Sequence, residues 1–400
     1  MEQKTKVLII GAGPSGLATS TCLNLQGIDN IVLEREDCCA SSWKKRAYDR
    51  LKLHLAKEFC QLPHLPFPSD GPTFVPKNDF IDYLDYYAFN FCISLLCYRI
   101  VQSATFDVSS NSWLVEAKNT LNGSTETYVS RFLVVATGEN SVEFIPQICG
   151  LDSFAGVTLH SSNYKNGQNF SDKNVLVVGC GNSGMEIAYD LADWGAQTSI
   201  IIRNSVHILT KEMVQLGMNL LKMFPVWLVD YIVAKLSKMW YGDLNNYGIQ
   251  TPSKGPFLMK SLTGRSPVID VGTIHKIKNE EIKVFPGIKQ IDGHNVEFVN
   301  GTRKKFEAIV FATGYRSTVR RWLKDEGRLF NEFGMPKKKK PDHWKGEDGI
   351  YCAGFSSSGL FGLSKDAMMI AEDIHTLLNF ENGEETRNGV STSKNYQENA

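Results

Sequence analysis

The sequence predicts an α/β fold that contains two Rossmann-like dinucleotide-binding units. An apolar strand, a Gly-x-Gly-x-x-Gly turn and the start of a helix occur in KVLIIGAGPSGLATSTCL and again in VLVVGCGNSGMEIAYDLA. Each unit leads to a later apolar strand that ends in Ala-Thr-Gly, in FLVVATGEN and in AIVFATGYRS. A chain of 400 residues is also longer than one hydrophobic core usually organises. We therefore expect at least two domains that share an interface.

The predicted elements follow from these repeats. The units comprise strand 6–10, helix 14–26 and strand 30–34, and then strand 174–179, helix 182–193 and strand 198–203. Between them, FDVSSNSWLVEAKN and ETYVSRFLVVA alternate like antiparallel strands. After Phe380 the composition turns to Glu, Asn, Ser, Thr and Gly. Residues 382–400 are therefore predicted to be a disordered tail.

Composition and charge narrow the class of protein. The 43 acidic and 43 basic residues cancel, which removes the usual electrostatic argument for binding nucleic acid or a charged membrane. The nine cysteines form no Cys-x-x-Cys pair and no zinc-type spacing, so we expect a reducing compartment and no structural metal. The apolar stretch Leu216 to Leu236 is interrupted by Lys222, Pro225, Asp230 and Lys235, so it is predicted to form interface helices, not a membrane span.

Two further features bear on location. The first strand begins at residue 6, which leaves no room for a secretory signal, so we expect a soluble cytoplasmic protein. The lysine-rich stretch KKKKPDHWKGEDG (337–349) is predicted to be a solvated loop; nuclear import is the alternative.

The glycine turns have a mechanism for binding a pyrophosphate. In the first turn, Gly11 is expected to make the tight turn, Gly13 to let the backbone approach the pyrophosphate, and Gly16 to let the helix pack on the strand. The helix amino terminus then offers free N–H groups and partial positive charge. The second turn repeats this arrangement, so each turn is expected to bind one dinucleotide.

The two units differ at the end of their second strands. Glu34 is suited to accept hydrogen bonds from ribose hydroxyls and to repel a 2′-phosphate, whereas Arg203 is suited to pair with that phosphate. The first site therefore suits FAD or NAD, and the second suits NADP. An Arg–phosphate contact contributes about 1.5–3 kcal/mol, or about 10- to 150-fold in affinity. The alternative is that either residue is an ordinary surface charge at a strand end.

Two unlike sites in one chain suggest that reduced nicotinamide passes hydride to a bound flavin. A disulfide as the electron acceptor would need a redox-active cysteine pair, and the only nearby pair is Cys38 and Cys39. Adjacent cysteines form a disulfide only with strain, and no iron–sulfur ligand set is present in the sequence. Dioxygen remains as the acceptor.

A resemblance to a known family agrees with this. FAGVTLHSSNY, with Phe154, Gly156, His160 and Tyr164, resembles the signature of class B flavin-dependent monooxygenases, and IVFATGY resembles the second signature of that family. WKKRAYDRLKLHLAKEFCQLP, VVATGEN, GCGNSGMEI, PVIDVGT, GIYCAGF and DAMMIAEDI look like the plant YUCCA subfamily, and the resemblance spans about residues 5–378. It implies conversion of indole-3-pyruvate, with NADPH and dioxygen, to indole-3-acetic acid, carbon dioxide and water through a C4a-peroxyflavin.

The resemblance also implies an architecture and a set of site residues. The second domain would be inserted into the first, with an FAD-binding domain over 1–170 and 285–381 and an NADPH-binding domain over 171–284. The residues implied for FAD are Gly11, Ala12, Gly13, Pro14, Ser15, Gly16, Glu34, Trp43, Ala136, Thr137 and Gly138. Those implied for NADPH are Gly179, Cys180, Gly181, Asn182, Ser183, Gly184, Arg203, Lys211, Thr313, Gly314 and Tyr315.

Catalytic and substrate residues are less directly indicated. Alignment of HLAKEF with the family places His54 beside the reacting flavin carbon, where a neutral imidazole would donate one hydrogen bond and an imidazolium would favour the anionic peroxide; a packed core histidine is the alternative. Arg50 and Lys52 are candidate contacts for the substrate carboxylate. Ser356, Ser357 and Ser358 stand where the subfamily resemblance leads us to expect basic residues, which puts the efficiency in question more than the reaction class.

Two other functions share the same cofactor motifs. One is an oxygenase that acts on a soft nitrogen or sulfur atom of another small molecule. The other is a flavoprotein that binds its cofactors without appreciable turnover. The substrate pocket separates the first from the indole-3-pyruvate enzyme, and the reactivity of the reduced protein with oxygen separates the second.

The contrast between the two units gives a first prediction. Arg203→Glu should lower NADPH affinity severely while FAD stays bound, because a carboxylate repels the 2′-phosphate. Steady-state kinetics with varied NADPH and the flavin absorbance of the purified variant measure the two effects. Unchanged NADPH kinetics would mean that the phosphate is bound elsewhere.

Overall fold

The computed structural model describes residues 2–324 and 327–394, with side chains as far as Glu381. Its strands are β1 (Glu2–Ile10), β2 (Asn30–Leu33), β3 (Leu95–Leu96), β4 (Arg99–Asp107), β5 (Ser112–Asn119), β6 (Thr125–Val135), β7 (Val142–Glu143), β8 (Val157–His160), β9 (Asn174–Val178), β10 (Gln197–Ile201), β11 (Ile208–Leu209), β12 (Val268–Ile269), β13 (Ile282–Phe285), β14 (Ile288–Asp292), β15 (Asn295–Phe298), β16 (Arg303–Lys305), β17 (Ala308–Phe311), β18 (Tyr315–Arg316) and β19 (Ile350–Cys352). Its α-helices are α1 (Pro14–Leu25), α2 (Lys77–Asn90), α3 (Asn182–Asp193), α4 (Lys211–Leu220), α5 (Val226–Tyr241), α6 (Pro256–Thr263), α7 (Thr273–Lys278) and α8 (Gly359–Lys394).

The first unit is built on a sheet with the strand order β3-β2-β1-β6-β5-β4. The long strand β6 pairs in parallel with β1, while its first half pairs with β5 in antiparallel and its last three residues pair in parallel with β19. Because successive side chains of β1 point to opposite faces, Val7 and Ile9 pack under α1 and α8, and Leu8 and Ile10 pack on the other face. Both chain ends therefore contribute to this unit.

The second unit is built on a parallel sheet with the strand order β13-β10-β9-β17-β8. Val175 and Val177 of β9 join a core with α3, and Leu176 and Val178 join a core with the antiparallel sheet β14-β15-β16. Helices α4, α5 and α6 lie between β11 and β12, so the stretch predicted to form interface helices is helical. Among the described residues, no helix is both long and apolar enough to cross a bilayer.

Two strands pair with the sheet of the second unit although the domain boundaries predicted from the resemblance assign them to the first domain. Strands β8 and β17 lie outside the predicted range 171–284, yet β17 pairs with β9 along four residues, and β8 pairs with β17. Hydrogen bonding therefore extends the second unit to residues 157–311. At the end of the chain, the backbone of α8 enters the predicted tail as far as Lys394, and 395–400 lie outside the described residues. The disordered tail stays a prediction.

The glycines of the first nucleotide turn, Gly11–Gly16, have three different surroundings, and the pyrophosphate contact predicted for Gly13 stays a prediction. Gly11 has φ +107°, and a Cβ there would lie 2.7 Å from the carbonyl oxygen of Ala136. A Cβ at Gly16 would lie 1.9 Å from the carbonyl oxygen of Gly11, so helix and turn are in backbone contact. A Cβ at Gly13 would meet no atom within 4 Å. The middle glycine therefore borders open space.

The second nucleotide turn, Gly179–Gly184, repeats this geometry closely. Gly179 has φ +115°, a Cβ at Gly184 would lie 2.0 Å from the carbonyl oxygen of Gly179, and a Cβ at Gly181 would meet nothing within 4 Å. The two units therefore use the same backbone construction at the carboxyl edge of their sheets.

The glycines of the first turn give a matched pair of substitutions. Gly16→Ala should lower the free energy of unfolding by about 3 kcal/mol, because the new methyl group collides with backbone that has no room to move. Gly13→Ala should change it by less than about 0.5 kcal/mol, since Gly13 has φ −74° and faces open space. Thermal unfolding of the two apoproteins compares them. Equal melting temperatures would contradict the assigned roles.

Candidate functional site

Glu34 lies where the first unit is expected to bind a ribose. It follows the last residue of β2 and is 6% exposed. Its carboxylate accepts hydrogen bonds from the backbone N–H of Ala12 at 2.8 Å, from that of Glu36 at 3.1 Å and from Ser41 Oγ at 3.3 Å. The carboxylate is thus fixed beside the first nucleotide turn, as the prediction for a ribose contact requires.

The loop after β6 forms the other wall of this site. The N–H of Ala136 bonds to the carbonyl of Ile10 at 2.9 Å, which holds the loop against the glycine turn. The hydroxyl of Thr137 is buried and has no hydrogen-bond partner among the described residues. Gly138 follows with φ +74°. Trp43, the remaining predicted FAD residue, packs edge-on against Phe80 at a ring distance of 4.6 Å.

Arg203 occupies the matching place in the second unit. It lies two residues beyond β10 and is exposed, and it makes no hydrogen bond or ion pair within the described part of the chain. Its guanidinium is therefore available to an external anion. In the turn itself, burial raises the pKa of the Cys180 thiol, which keeps that thiol protonated.

Three residues predicted to contact NADPH form the crossing between the units. Thr313 Oγ1 donates a hydrogen bond to the carbonyl of Phe144, and the carbonyl of Gly314 accepts one from the N–H of Phe144 at 3.0 Å. Tyr315 begins β18, which pairs with β7. These contacts tie the two linkers together. A contact of the same residues with NADPH stays a prediction.

The Phe-x-Gly-x-x-x-His-x-x-x-Tyr segment fixes the linker to the second unit. Phe154 packs beside the core formed with β14 to β16, and a Cβ at Gly156 would lie 2.3 Å from the carbonyl oxygen of Glu307. Tyr164 donates a hydrogen bond to Asp190 at 2.6 Å, and burial raises the pKa of Tyr164. These residues make the contacts of a packed domain linker.

His160 is the best-defined member of that segment. It is buried, its Nδ1 faces the N–H of Ser162 at 3.2 Å, and its Nε2 faces the carbonyl of Gly314 at 3.0 Å. Since a carbonyl only accepts, the ring proton lies on Nε2. Burial lowers the pKa of His160, so the ring is held neutral. His160 therefore positions the Ala-Thr-Gly-Tyr loop of the second unit.

His54 lies at the junction and contacts helix α3 of the second unit. Asn182 Oδ1 accepts from the N–H of Ile269 at 2.8 Å, which turns its NH₂ group towards Nδ1 of His54 at 3.4 Å. The proton of a neutral ring therefore lies on Nε2, 2.9 Å from Oε1 of Glu186. Glu186 is 2% exposed, so this contact is shielded from water.

This geometry bears on the role predicted for His54, which stays a prediction. A neutral imidazole has one N–H donor, and here Glu186 accepts it. A neutral His54 has no second donor for an oxygen adduct on a flavin, whereas an imidazolium would carry an N–H on each ring nitrogen. In the structure, His54 also links the segment around Leu53, which packs in the core of the first unit, to the second nucleotide turn. Sequence reasoning missed Glu186, whose signal is a carboxylate among the apolar residues of GMEIA.

One cavity of about 260 Å³ brings together three predicted residues, Arg50, Lys52 and Lys211, with the carboxylates Glu186, Glu212 and Asp270. The sequence assigned the first two to substrate and Lys211 to NADPH. Burial lowers the pKa of Lys211 and raises that of Asp270. The cavity is thus a polar site at the junction, lined by three basic and three acidic side chains.

Arg50 is the most firmly held cation of this cavity. Its guanidinium lies 4.1 Å from the ring centroid of Tyr189 and 3.7 Å from the carboxylate of Asp190. Lys52 is exposed and makes no side-chain hydrogen bond or ion pair with another described residue. A small anion entering the cavity would therefore meet a guanidinium that is held in place, together with the ammonium groups of Lys52 and Lys211.

The role assigned to Glu186 leads to a prediction on the His54 ring. In the wild type and in Glu186→Gln, whose amide oxygen still accepts, His54 should be a single Nε2–H tautomer. Glu186→Leu should give a mixture of tautomers, because the Nε2–H then faces no acceptor. Nitrogen-15 NMR of labelled histidine measures this, with His54→Asn for assignment and Glu212→Gln, in the same cavity, as control. An Nδ1–H tautomer in the wild type would refute the hydrogen-bond chain.

Comparison with known proteins gives a consistent result. The sequence model of the flavin-binding monooxygenase-like family matches residues 4–325. Probable indole-3-pyruvate monooxygenase YUCCA10 of Arabidopsis thaliana is 54% identical over 376 residues, which cover 94% of this chain and 98% of that relative. Indole-3-pyruvate monooxygenase YUCCA6 of Arabidopsis thaliana is 47% identical with 93% and 90% covered, and YUCCA1 of Oryza sativa subsp. japonica is 45% identical with 92% and 91% covered.

Solved structures share the fold at low sequence identity. A flavin-containing monooxygenase from Stenotrophomonas maltophilia superposes with a TM-score of 0.71 at 19% identity, covering 94% of this chain and 99% of that one. Oxidized steroid monooxygenase bound to NADP superposes with a TM-score of 0.74 at 15% identity, covering 96% and 86%. The two-unit Rossmann-type fold predicted from the sequence is confirmed. By the family match and the extent of its curated relatives, the chain belongs to the flavin-binding monooxygenase-like family and, within it, to the YUCCA indole-3-pyruvate monooxygenases.

Proposed function

We propose that the protein is a flavin monooxygenase that converts indole-3-pyruvate, NADPH, dioxygen and a proton to indole-3-acetic acid, carbon dioxide, NADP⁺ and water. The observation that carries this proposal is the pair of nucleotide turns with the same backbone geometry and opposite charge at their ribose ends, Glu34 and Arg203. Family membership supports the same reaction.

The first unit fits FAD. Open space at Gly13 leaves room for a pyrophosphate, and the buried hydroxyl of Thr137 offers a hydrogen bond that no described residue takes up. Glu34 would hold the ribose of the adenosine half. Bound FAD would supply the acceptor for hydride from NADPH and the centre that activates dioxygen. The protein positions this chemistry and excludes water from it.

The second unit fits NADPH. Open space at Gly181 would admit the pyrophosphate at the amino terminus of α3, and the free guanidinium of Arg203 would bind the 2′-phosphate. Lys211 lies in the junction cavity, where it would meet a phosphate or a carboxylate. The crossing at Thr313 to Tyr315 would keep the two cofactors in a fixed relation.

The junction cavity is proposed to receive the carboxylate of the substrate. Arg50 is held in place by Tyr189 and Asp190 and would provide a fixed charge, while Lys52 would close on the ligand. Glu212 and Asp270 balance the cations in the absence of a ligand. A 2-oxo acid bound in this way would present its keto carbon away from the charged wall.

All nine cysteines are free thiols in the structure. Burial raises the pKa of Cys22 and of Cys60 to about 12, so these thiols are unreactive at neutral pH. This usage supports the proposal that the enzyme works in the reducing cytoplasm.

The deciding experiment is an assay of purified protein with NADPH and indole-3-pyruvate. We expect a yellow protein, oxidation of NADPH, and indole-3-acetic acid and carbon dioxide in equal amounts. Lys52→Gln should raise KM for indole-3-pyruvate about tenfold with KM for NADPH unchanged, because one charged contact to the carboxylate is lost. Lys254→Gln, a lysine outside the junction cavity, serves as control.

A second substrate tests the alternative chemistry. A thioether converted to its sulfoxide, with indole-3-pyruvate left unchanged, would replace the proposed reaction by oxygenation at a soft atom. A colourless protein that does not take up FAD would reject both. Hydrogen peroxide formed in proportion to NADPH, with neither product, would show a flavoprotein that does not oxygenate.

A further inference from the structure

Lysines from other segments approach the serine run 356–358. The sequence has serines here where the family resemblance led us to expect basic residues. The ammonium group of Lys340 donates a hydrogen bond to Ser358 Oγ, and Ser357 Oγ donates one to Glu139 at 3.3 Å. Lys340 is part of the four-lysine run that was predicted to be only a solvated loop. This lysine therefore has a specific partner at the serine run.

A second cation comes from the other unit. Helix α6 carries Lys260 and ends at Thr263; a Cβ at the next residue, Gly264, would lie 3.8 Å from Ser357 Oγ. Lys260 donates a hydrogen bond to Ser266 at 2.8 Å, and its charge opposes the rise that burial causes in the pKa of Glu139. We call Glu139, Lys260, Lys340 and the serine run 356–358 the charged corner.

The charged corner lies at the edge of the first sheet that carries the first nucleotide turn. Glu139 follows the end of β6, and the serine run follows the end of β19, and both strands are parallel to β1. A Cβ at Gly354 would lie 2.1 Å from Ser15 Oγ, so the loop before α8 touches the nucleotide turn directly. Dinucleotides bind at this edge of a doubly wound sheet.

Strand order shows which end of the dinucleotide would lie here. Glu34, the ribose contact of the adenosine half, follows β2 on one side of β1, and the charged corner follows β6 and β19 on the other side. A dinucleotide whose pyrophosphate spans the turn therefore extends its flavin half towards the charged corner. Lys260, from the second unit, lies on the side from which NADPH must approach.

The balance of charge in the corner is positive. Lys260, Lys340 and the neighbouring Lys365 carry three positive charges against the two carboxylates of Glu139 and Asp366, and burial raises the pKa of Glu139 while Lys260 and Lys340 act against that rise. Burial is the main cause that lowers the pKa of Lys260 and of Lys340; Lys340 adds to the lowering for Lys260, and Lys365 adds to it for Lys340. Asp366 is the further carboxylate that acts on Lys340. Positive charges held close together in this way stabilise a negative charge that is added nearby.

We propose that Lys340 and Lys260 supply, at the flavin end of the first nucleotide site, the positive charge that the serine run lacks. Hydride from NADPH brings two electrons and one proton to the ring, which gains one negative charge in the step. Nearby cations stabilise that charge, strengthen flavin binding and raise the reduction potential. This inference rests on the proposed function, because it needs FAD to occupy the first unit.

The test compares Lys340→Gln and Lys260→Gln with Lys339→Gln, an exposed neighbour in the same run. FAD affinity is measured by titration of apoprotein, and the flavin midpoint potential by equilibration with a reference dye. We expect each of the first two variants to bind reduced flavin about tenfold more weakly relative to oxidised flavin. That ratio corresponds to a shift of about −30 mV for a two-electron couple. The control should match the wild type.

Relocating the charge separates an electrostatic role from a structural one. The double variant Lys340→Gln, Ser358→Lys should regain the wild-type potential, because the cation returns to the same corner from another segment. Potentials of Lys340→Gln and Lys260→Gln equal to that of the control would overturn the inference. So would an unchanged potential with a raised KM for indole-3-pyruvate, which would assign the cations to the substrate carboxylate. A wild-type protein that binds no FAD would instead reject the proposed function.

Discussion

The contact between backbone atoms at the two nucleotide turns is the constraint on which the rest of the structure depends. A Cβ at Gly16 would come within 1.9 Å of Gly11, and one at Gly184 within 2.0 Å of Gly179. Only glycine allows a helix to start so close to the strand before it. This closeness aims the amino terminus of each helix at the carboxyl edge of its sheet and leaves open space at the middle glycine. Both sites are thereby defined by main chain, and side chains only select between cofactors.

The two nucleotide turns must also keep a fixed position relative to each other, and the linkers between the units hold them there. Because Phe144 exchanges hydrogen bonds with Thr313 and Gly314, the two chain crossings are one structure and not two independent hinges. His160, at the end of β8, donates a hydrogen bond to the carbonyl of Gly314 in this crossing. His54 adds a contact from the first unit to Glu186 of α3. The segment around His160 that resembles the family signature therefore connects the two units. In the structure, its side chains make packing contacts and hydrogen bonds with the second unit.

Features that depend on residues close together in the sequence could be predicted, whereas contacts between residues far apart in the sequence could not. The turns, Glu34 and Arg203 were predictable because strand, turn and helix are local patterns with a known mechanism. The partner of His54 is 132 residues away, and the partner of Ser357 is 218 residues away, and no local pattern indicates either. The sheet to which a strand belongs is also set by distant partners. Alternating or apolar residues identify β8 and β17 as strands, but only hydrogen bonding to β9 decides which sheet they join.

The same distinction applies to charge. The formal net charge of zero concealed an exposed guanidinium after β10, a carboxylate after β2, and cations gathered at the junction cavity and the charged corner. A signature that records basic residues by position finds three serines at 356–358 and predicts a weakened site. Coulomb energy depends on the distance between charges and on the surrounding dielectric, not on the segment that carries them. Lys340, which the fold brings to the serine run, can therefore supply the same positive charge as a basic residue within that run. Relatives that differ at positions 356–358 need not differ in chemistry.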